Sequence, residues 1–167
     1  LAITATGYDA TGANAANGTG IITKLVVTDA GTAKTSSFAL TEVSQTLSSG
    51  LLVGTNVTEV NISSSVDTGG GAVVIDSSGL SLSGDINSGS ASQSYGGTVT
   101  LTDDVMFSGN TLTLDVLDGD GHSVTFDFVD TEIDAGTQTF ANIADLNVTG
   151  AATINGTIKT TGNQLFQ

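Results

Sequence analysis

The sequence predicts an all-β protein whose short strands stack as the rungs of a β-solenoid (β-helix). Its 167 residues include 22 glycines and no proline, so every backbone N–H is free to join a strand ladder. Apolar residues alternate with Ser and Thr, as in strands with one buried face. The third observation is a repeated sequence, here called the echo. Gly136–Phe140 recurs as Gly162–Phe166, 26 residues later (162 − 136), with a weaker copy at Ser92–Tyr95. Echoes of this kind are typical of stacked units.

Residues 1–50 form a predicted N-terminal strand and cap region. The run Leu1–Ala5 predicts a short strand, and the β-branched run Ile21–Thr28 predicts a longer one. Residues 36–50 are the one helix candidate. A helix there would plug the open end of a stack. Its apolar residues recur at i, i+3 and i+7, namely Leu40, Val43 and Leu47.

Residues 51–167 form a predicted β-strand repeat region. Ala72–Ile75 is a short apolar run between turn signals, and Leu80–Ser83 alternates apolar and polar residues. Residues 111–129 predict a β-hairpin inserted between rungs. Its two alternating arms flank Asp118–Gly121, a sequence that suits the positive-φ positions of a tight turn.

The last third of the chain resembles a known class of surface protein. The repeated runs are Gln138–Phe140, Leu146–Thr149, Ile154–Ile158 and Thr160–Gln164. They resemble the degenerate strand repeats of filamentous-haemagglutinin-like and autotransporter-passenger adhesins, over about residues 90–167. The resemblance implies a right-handed β-solenoid, export to the cell surface and a role in adhesion or matrix. The N-terminal half lacks the repeat, which leaves a separate cap or a β-sandwich domain open there. The alternative fold is a jelly-roll or Ig-like β-sandwich, which would accommodate the predicted hairpin but does not explain the 26-residue echo.

The charge balance narrows the range of partners. The chain has 17 acidic residues, three lysines and no arginine, for a net charge of −14. Phosphate groups would be repelled, so nucleic acid is not an expected partner, and neither is an anionic membrane surface. No apolar run is long enough to span a bilayer, so membrane insertion is not expected. With no cysteine, the chain forms no disulfide.

A group of aspartates is the candidate metal site. Asp115, Asp118, Asp120 and Asp127 surround one predicted turn, and carboxylate oxygens suit Ca²⁺. The spacing matches neither an EF-hand nor a calcium-binding β-roll, and Asp-Gly pairs also serve simply as turn formers. No cofactor is otherwise expected. The pairs and runs Asp103-Asp104 and Asp130-Glu132-Asp134 are weaker versions of the same pattern.

Catalysis is not predicted. His122 is the single histidine and follows the predicted turn, with no sequence signal that places a serine nucleophile against it. The chain has no Gly-x-Ser-x-Gly elbow and no phosphate-binding glycine loop. A polysaccharide-cleaving enzyme with paired carboxylates is the enzymatic alternative, although aromatic residues for sugar stacking make up only 5% of the chain.

Two further sets of residues are candidate sites. The chain begins at Leu1 instead of Met and stops inside what looks like a fresh repeat, so the natural polypeptide is expected to continue. The N-terminal strand is a candidate assembly strand that would lodge in the next subunit: Leu1, Ala2, Ile3, Thr4, Ala5 and Thr6. Asn-x-Ser/Thr sequons mark candidate glycosylation sites at Asn17, Asn56, Asn61, Asn147 and Asn155.

These observations lead to one functional expectation and one alternative. We expect a non-enzymatic extracellular or cell-surface protein that is structural or adhesive. It would be a segment of a surface adhesin or the subunit of a filament assembled through β-strand contacts. Its partners would be other copies of the same chain, with host-surface or matrix glycans as further candidates. The alternative is a carbohydrate- or calcium-binding β-sandwich module.

Overall fold

The structure is a computed structural model that describes residues 2–6, 24–28, 37–40, 45–46, 50–53, 59–63 and 65–167. The described residues contain strands, turns and bends but no helix, which confirms the all-β prediction. The strands are β1 Ala2–Thr6, β2 Lys24–Thr28, β3 Ser37–Leu40, β4 Gln45–Thr46, β5 Gly50–Val53, β6 Glu59–Ile62, β7 Val66–Asp67, β8 Val73–Ile75, β9 Gly79–Leu82, β10 Ile86–Asn87, β11 Ser92–Leu101, β12 Val105–Asp118, β13 Val124–Ile143, β14 Leu146–Thr160 and β15 Gln164–Phe166.

The strands stack in three parallel columns. The first column contains β2, β5 and β8, the second contains β3, β6 and β9, and the third contains β4, β7 and β10. The longer strands β11 to β14 bend around corners and so contribute to more than one column. Among the described strands, every pairing is parallel except that of β1 with β2. This is a β-solenoid, and the β-sandwich alternative, which needs antiparallel sheets, is wrong.

One turn of the solenoid, here called a rung, takes about 20 residues. In the third column the aligned positions are Val66, Ile86, Phe107, Phe126, Val148 and Phe166, at intervals of 18 to 22 residues. The 26-residue echo is therefore not the repeat. Phe140 aligns with Ile158 in the second column, Phe166 with Val148 in the third, and Tyr95 with Ile75 in the first. The stacking prediction was right, but the register inferred from the echo was wrong, because rungs of unequal length place similar sequences on different columns.

The predicted hairpin at 111–129 is also wrong. β12 runs parallel to β13, with Val105 opposite Val124 and Leu112 opposite Thr131, so a full rung separates the paired residues. The turn between them is a solenoid corner with positive φ at Asp120 (46°) and Gly121 (89°). The same positive-φ residues serve a corner as well as a hairpin, and alternating apolar residues do not distinguish the two.

The helix predicted over 36–50 is wrong where the structure describes that segment. Ser37–Leu40 and Gln45–Thr46 are extended and pair in parallel with β6 and β7. The helical spacing of three apolar residues is a weak preference. It is overridden by backbone hydrogen bonds to the neighbouring rung, which hold the segment in an extended conformation. The strands of 1–50 thus join the same columns as those of 51–167. β1 lies outermost in the first column, antiparallel to β2.

Alternate side chains of each rung fill the interior. The largest buried side chains are aromatic and include Tyr95, Phe107 and Phe126. The ring centroid of Phe107 lies 5.5 Å from that of Tyr95 and 5.6 Å from that of Phe126. Around them are aliphatic residues such as Val60, Leu82 and Leu101. Because rungs are about 4.8 Å apart, each interior side chain packs on its equivalents above and below.

Candidate functional site

Several carboxylates hold one rung to the next at a solenoid corner. The Asp85 Oδ1 accepts the Met106 N–H at 2.8 Å, and the Asp104 Oδ1 accepts the Ser123 N–H at 2.7 Å. At the next such corner the Asp145 Oδ1 accepts the Asn163 N–H at 2.6 Å. These acids satisfy backbone donors that a sharp corner would otherwise leave to water. These three carboxylates therefore have a structural role at the corners.

The four aspartates of the predicted calcium site take different places. The Asp118 Oδ1 accepts from the Asn142 Nδ2 at 2.9 Å and from the Asp120 N–H at 3.1 Å, which is the role of a turn former. Asp127 lies in the third column, where its Oδ1 accepts the Thr149 hydroxyl at 2.5 Å. Asp115 is exposed on β12. The described residues contain no group of three or more His, Cys, Asp or Glu side chains placed to hold a metal ion. The calcium site stays a prediction.

His122 lies at the same corner as the carboxylate caps. Its Nδ1 is 3.9 Å from the Asp104 Oδ1, an ion pair only when the imidazole is protonated. Its backbone N–H donates to the Gly119 carbonyl at 2.8 Å, which closes the turn. The His122 side chain is 35% exposed and the Asp104 side chain is 72% exposed. A contact this long and this exposed contributes little to stability.

A polar network lies inside the solenoid. The Tyr95 hydroxyl donates to the Gln93 Oε1 at 2.7 Å, and the Gln93 Nε2 donates to the Ser108 carbonyl at 2.9 Å and the Ile86 carbonyl at 3.1 Å. Burial raises the pKa of the Tyr95 phenol well above its ordinary value. Sequence reasoning missed this network, although the alternation of Gln93 and Tyr95 with Ser92 and Ser94 was a signal that both point inward.

A shallow groove of about 530 Å³ runs across several rungs at the end of the third column. One wall is a row of polar side chains from successive rungs, Asn87, Ser108, Asp127 and Thr149. The Ser108 hydroxyl donates to the Asn87 Oδ1 at 3.3 Å. Val129 is 69% exposed at the same groove. Amide, hydroxyl and carboxylate groups beside a small apolar surface suit a polar, sugar-like ligand.

β14 and β15 carry two exposed apolar side chains at positions where neighbouring rungs have buried ones. β15 pairs in parallel with Leu146–Val148 of β14 and so begins a further rung. Ile154 aligns with buried Ile133 yet is 41% exposed, and Phe166 aligns with buried Val148 yet is 47% exposed. Sequence reasoning missed the exposure of these two side chains, because an apolar residue in a strand pattern does not show which neighbouring rung covers it.

The candidate assembly strand is a strand in the structure. Ala2–Thr6 forms β1, paired along its whole length with Lys24–Thr28 of β2, and Leu1 lies outside the described residues. One edge of β1 is thus used within the chain. Its role in assembly stays a prediction.

The sequon asparagines are placed unevenly. Asn61 is exposed on β6, and Asn155 is exposed on β14. Asn147 is partly exposed, and its Oδ1 accepts from the Gln167 Nε2 at 3.5 Å. Asn17 and Asn56 lie outside the described residues. Their glycosylation stays a prediction.

No protein-family model, no curated protein and no solved structure matches this chain. The resemblance to haemagglutinin-like and autotransporter adhesins therefore stays a prediction. The part of the chain that the structure describes has no helix that is long and apolar enough to cross a membrane.

Proposed function

We propose that this chain is a non-enzymatic extracellular protein with a structural or adhesive role, either a segment of a surface adhesin or a filament subunit joined through β-strand contacts. The observation that carries the proposal is the parallel stack itself. Strand pairs on strand from β2 to β15, around a core of buried aliphatic and aromatic side chains. A stack of this kind presents long repetitive surfaces and is joined through strand ladders, which suits a structural or adhesive role.

The chemistry of the sides supports the same proposal. Carboxylates at the corners are engaged with backbone N–H groups, as Asp85, Asp104 and Asp145 show. The remaining outward positions carry mainly Ser, Thr, Asn and Asp, which suits a solvated surface that keeps neighbouring rods apart. Such a surface is typical of a scaffold.

Electron microscopy and sedimentation velocity on the purified chain test the proposal. We expect rods that lengthen into filaments as the concentration rises and that persist at urea concentrations that unfold ordinary domains. Binding to immobilised matrix glycoproteins, measured in parallel, tests the adhesive form. Compact monomers at every concentration that bind none of these surfaces would contradict both forms.

A second candidate, glycan binding, is favoured by the groove. The row of Asn87, Ser108, Asp127 and Thr149 repeats polar groups at the rung spacing of about 4.8 Å, close to the length of one sugar unit. Glycan-array binding followed by calorimetry on the best glycan tests it. We expect Asp127→Ala to abolish the heat of binding, whereas Asp115→Ala, an exposed aspartate outside the groove, should leave it unchanged.

Calorimetry also tests the predicted calcium site. A titration of Ca²⁺ into the wild type and into an Asp118→Ala/Asp120→Ala variant would show heat in the first protein alone if these residues bind the ion. Equal heats, or none in either protein, would reject the site.

A further inference from the structure

We propose that the groove of the third column takes an extended glycan with free amino groups, which lies along the axis of the stack and places an ammonium group at Asp127. The inference rests on the glycan-binding candidate and deepens it, because it names the chemical class of the ligand and its direction. It requires a groove that follows the axis, polar groups at the spacing of sugar units, and a carboxylate that no neighbouring cation neutralises.

The groove follows the axis of the stack, because its lining residues come from four successive rungs. One aligned position in these rungs is occupied by Asn87, Ser108, Asp127 and Thr149, here called the polar row. With rungs about 4.8 Å apart, the polar row is about 14 Å long. An elongated ligand therefore fits along the row, whereas a single sugar would occupy only part of it.

Backbone and a small apolar side chain form the rest of the lining. Gly89, Gly109 and Gly150 contribute backbone atoms alone, so a ligand can approach the main chain closely there. Val129 lies at the same groove and is 69% exposed. The C–H surface of a sugar ring can pack against its methyl groups while the ring hydroxyls reach the polar row.

The spacing of the polar row favours a glycan over a peptide. Its side chains recur at about 4.8 Å, close to the length of one sugar unit, so an extended glycan can place one unit on each rung. An extended peptide advances about 3.3 Å per residue, and its side chains on one face recur at about twice that distance. Successive peptide side chains would therefore fall out of step with the rungs.

Asp127 sets the charge that the ligand should carry. It is the only charged residue among the described residues that line the groove, and neither Lys24 of β2 nor Lys159 of β14 is among them. Its side chain is exposed, and its Oδ1 accepts the Thr149 hydroxyl at 2.5 Å. In a chain of net charge −14, a ligand ammonium gains an ion pair and the attraction of the surrounding field, and an anionic glycan is repelled.

Calorimetry at low salt with matched tetrasaccharides tests the ligand class. The probes are a linear glucosamine tetramer, its N-acetylated form and a galacturonic acid tetramer, at a pH at which the amines are protonated. We expect the glucosamine tetramer to bind about threefold or more tighter than the N-acetylated one, and the galacturonic acid tetramer not to bind. The preference of the wild type should shrink in 1 M salt, where the screening length is about 3 Å.

A glucosamine dimer tests the direction of the ligand. If the chain lies along the polar row, the dimer reaches only half of the four rungs and should bind more weakly than the tetramer. A dimer that binds as tightly as the tetramer would overturn the axial arrangement.

Matched charge variants test the role of Asp127. Asp127→Asn removes the charge and keeps an Oδ1 acceptor for the Thr149 hydroxyl, so we expect it to bind the glucosamine and N-acetylated tetramers equally. Asp115→Asn removes one charge from an exposed position on β12 outside the groove and should keep the preference. Urea unfolding of both variants checks that the solenoid is intact.

The outcomes separate this inference from the glycan-binding candidate. A wild type that binds both tetramers equally, or a preference that survives Asp127→Asn, would overturn the charge assignment and leave glycan binding standing. Binding of other glycans on an array by a protein that ignores the glucosamine tetramer would do the same. A protein that binds no glycan of any class would overturn the inference and the candidate together.

Discussion

At the residue scale, the buried polar side chains of the described residues differ in whether they find a hydrogen-bond partner. Gln93 and Tyr95 hydrogen-bond to each other, and Gln93 also donates to the backbone carbonyls of Ile86 and Ser108. Thr131 is fully buried, and its Oγ1 has no hydrogen-bond partner. An unpaired buried hydroxyl costs stability, whereas a satisfied network joins rungs across the core.

Replacing Thr131 with valine should stabilise the fold. Valine has nearly the same shape and removes the unpaired hydroxyl, so the free energy of unfolding should rise by about 1 kcal/mol. Urea unfolding followed by circular dichroism measures the change. Thr125→Val on the outer, partly exposed side of β13 is the control and should change stability little. A destabilised Thr131→Val variant would show that the hydroxyl has a partner.

Tyr95 should make the protein sensitive to alkali. In the unfolded chain its phenol ionises near 10.0, the ordinary value, but burial raises the pKa in the folded protein. Above that ordinary pKa the unfolded state binds fewer protons than the folded state, so the free energy of unfolding falls as the pH rises. Below it, Tyr95 contributes no pH dependence.

The measurement compares urea midpoints of the wild type and Tyr95→Phe from about pH 9 to about pH 11. We expect the wild type to lose stability more steeply over this range. At neutral pH the variant should itself be about 1–3 kcal/mol less stable, because the Gln93 Oε1 loses its hydrogen bond. The slopes are therefore compared, and parallel slopes would mean that Tyr95 ionises freely in the folded protein.

At the element scale, the corners of the solenoid are repeated turns. Asp67-Thr68-Gly69 and Asn87-Ser88-Gly89 stand 20 residues apart (87 − 67), and both glycines have φ of 58°. In each, the first side chain accepts the glycine N–H, at 2.8 Å from Asp67 and 2.9 Å from Asn87. The hydroxyl of the second residue donates to the backbone carbonyl three residues later, from Thr68 to Gly71 and from Ser88 to Ala91. These two turns repeat at the 20-residue spacing of the rungs, whereas the 26-residue echo does not.

Two corner glycines provide a matched test of close packing. Gly150 and Gly121 have similar positive φ, 84° and 89°. A Cβ on Gly150 would lie 2.0 Å from the Phe128 carbonyl oxygen, whereas one on Gly121 would meet nothing within 4 Å. Gly121→Ala should cost only the backbone strain, about 1–2 kcal/mol. Gly150→Ala should cost clearly more, because the rung must also shift. Equal losses in thermal or urea unfolding would show that the rung spacing is elastic at this corner.

At the scale of the whole molecule, the acidic residues on the described, paired strands are spaced so that they do not stack on one another. On paired strands each carboxylate aligns with neutral neighbours: Asp127 lies between Ser108 and Thr149, and Glu132 lies between Thr113 and Thr153. Asp118 likewise lies between Thr100 and Ala141. Like charges on adjacent rungs would be about 4.8 Å apart and would repel. The arrangement lets a chain of net charge −14 form a parallel stack.

Stacking one carboxylate on another should reveal this constraint. Thr113→Glu would align a second glutamate with Glu132 in the middle of the stack, whereas Thr113→Gln has the same size without the charge. We expect the Glu variant to be less stable than the Gln variant by a few tenths of a kcal/mol at low salt. The difference should shrink in 1 M salt, where the screening length is about 3 Å. A difference that does not respond to salt would have a steric origin.

The sequence by itself determined the strand content, the small residues at corners, the alternation that sends Leu80 and Leu82 inward, and the idea of a stack. These features depend on local backbone preference and on period-two burial, which nearest neighbours encode. Only the tertiary structure decided the register, the parallel pairing of β12 with β13 in place of a hairpin, the strands within 36–50, and the exposure of Ile154 and Phe166. Those depend on contacts about 20 residues apart between rungs of unequal length, and no local pattern specifies which of several similar residues will lie on top of another.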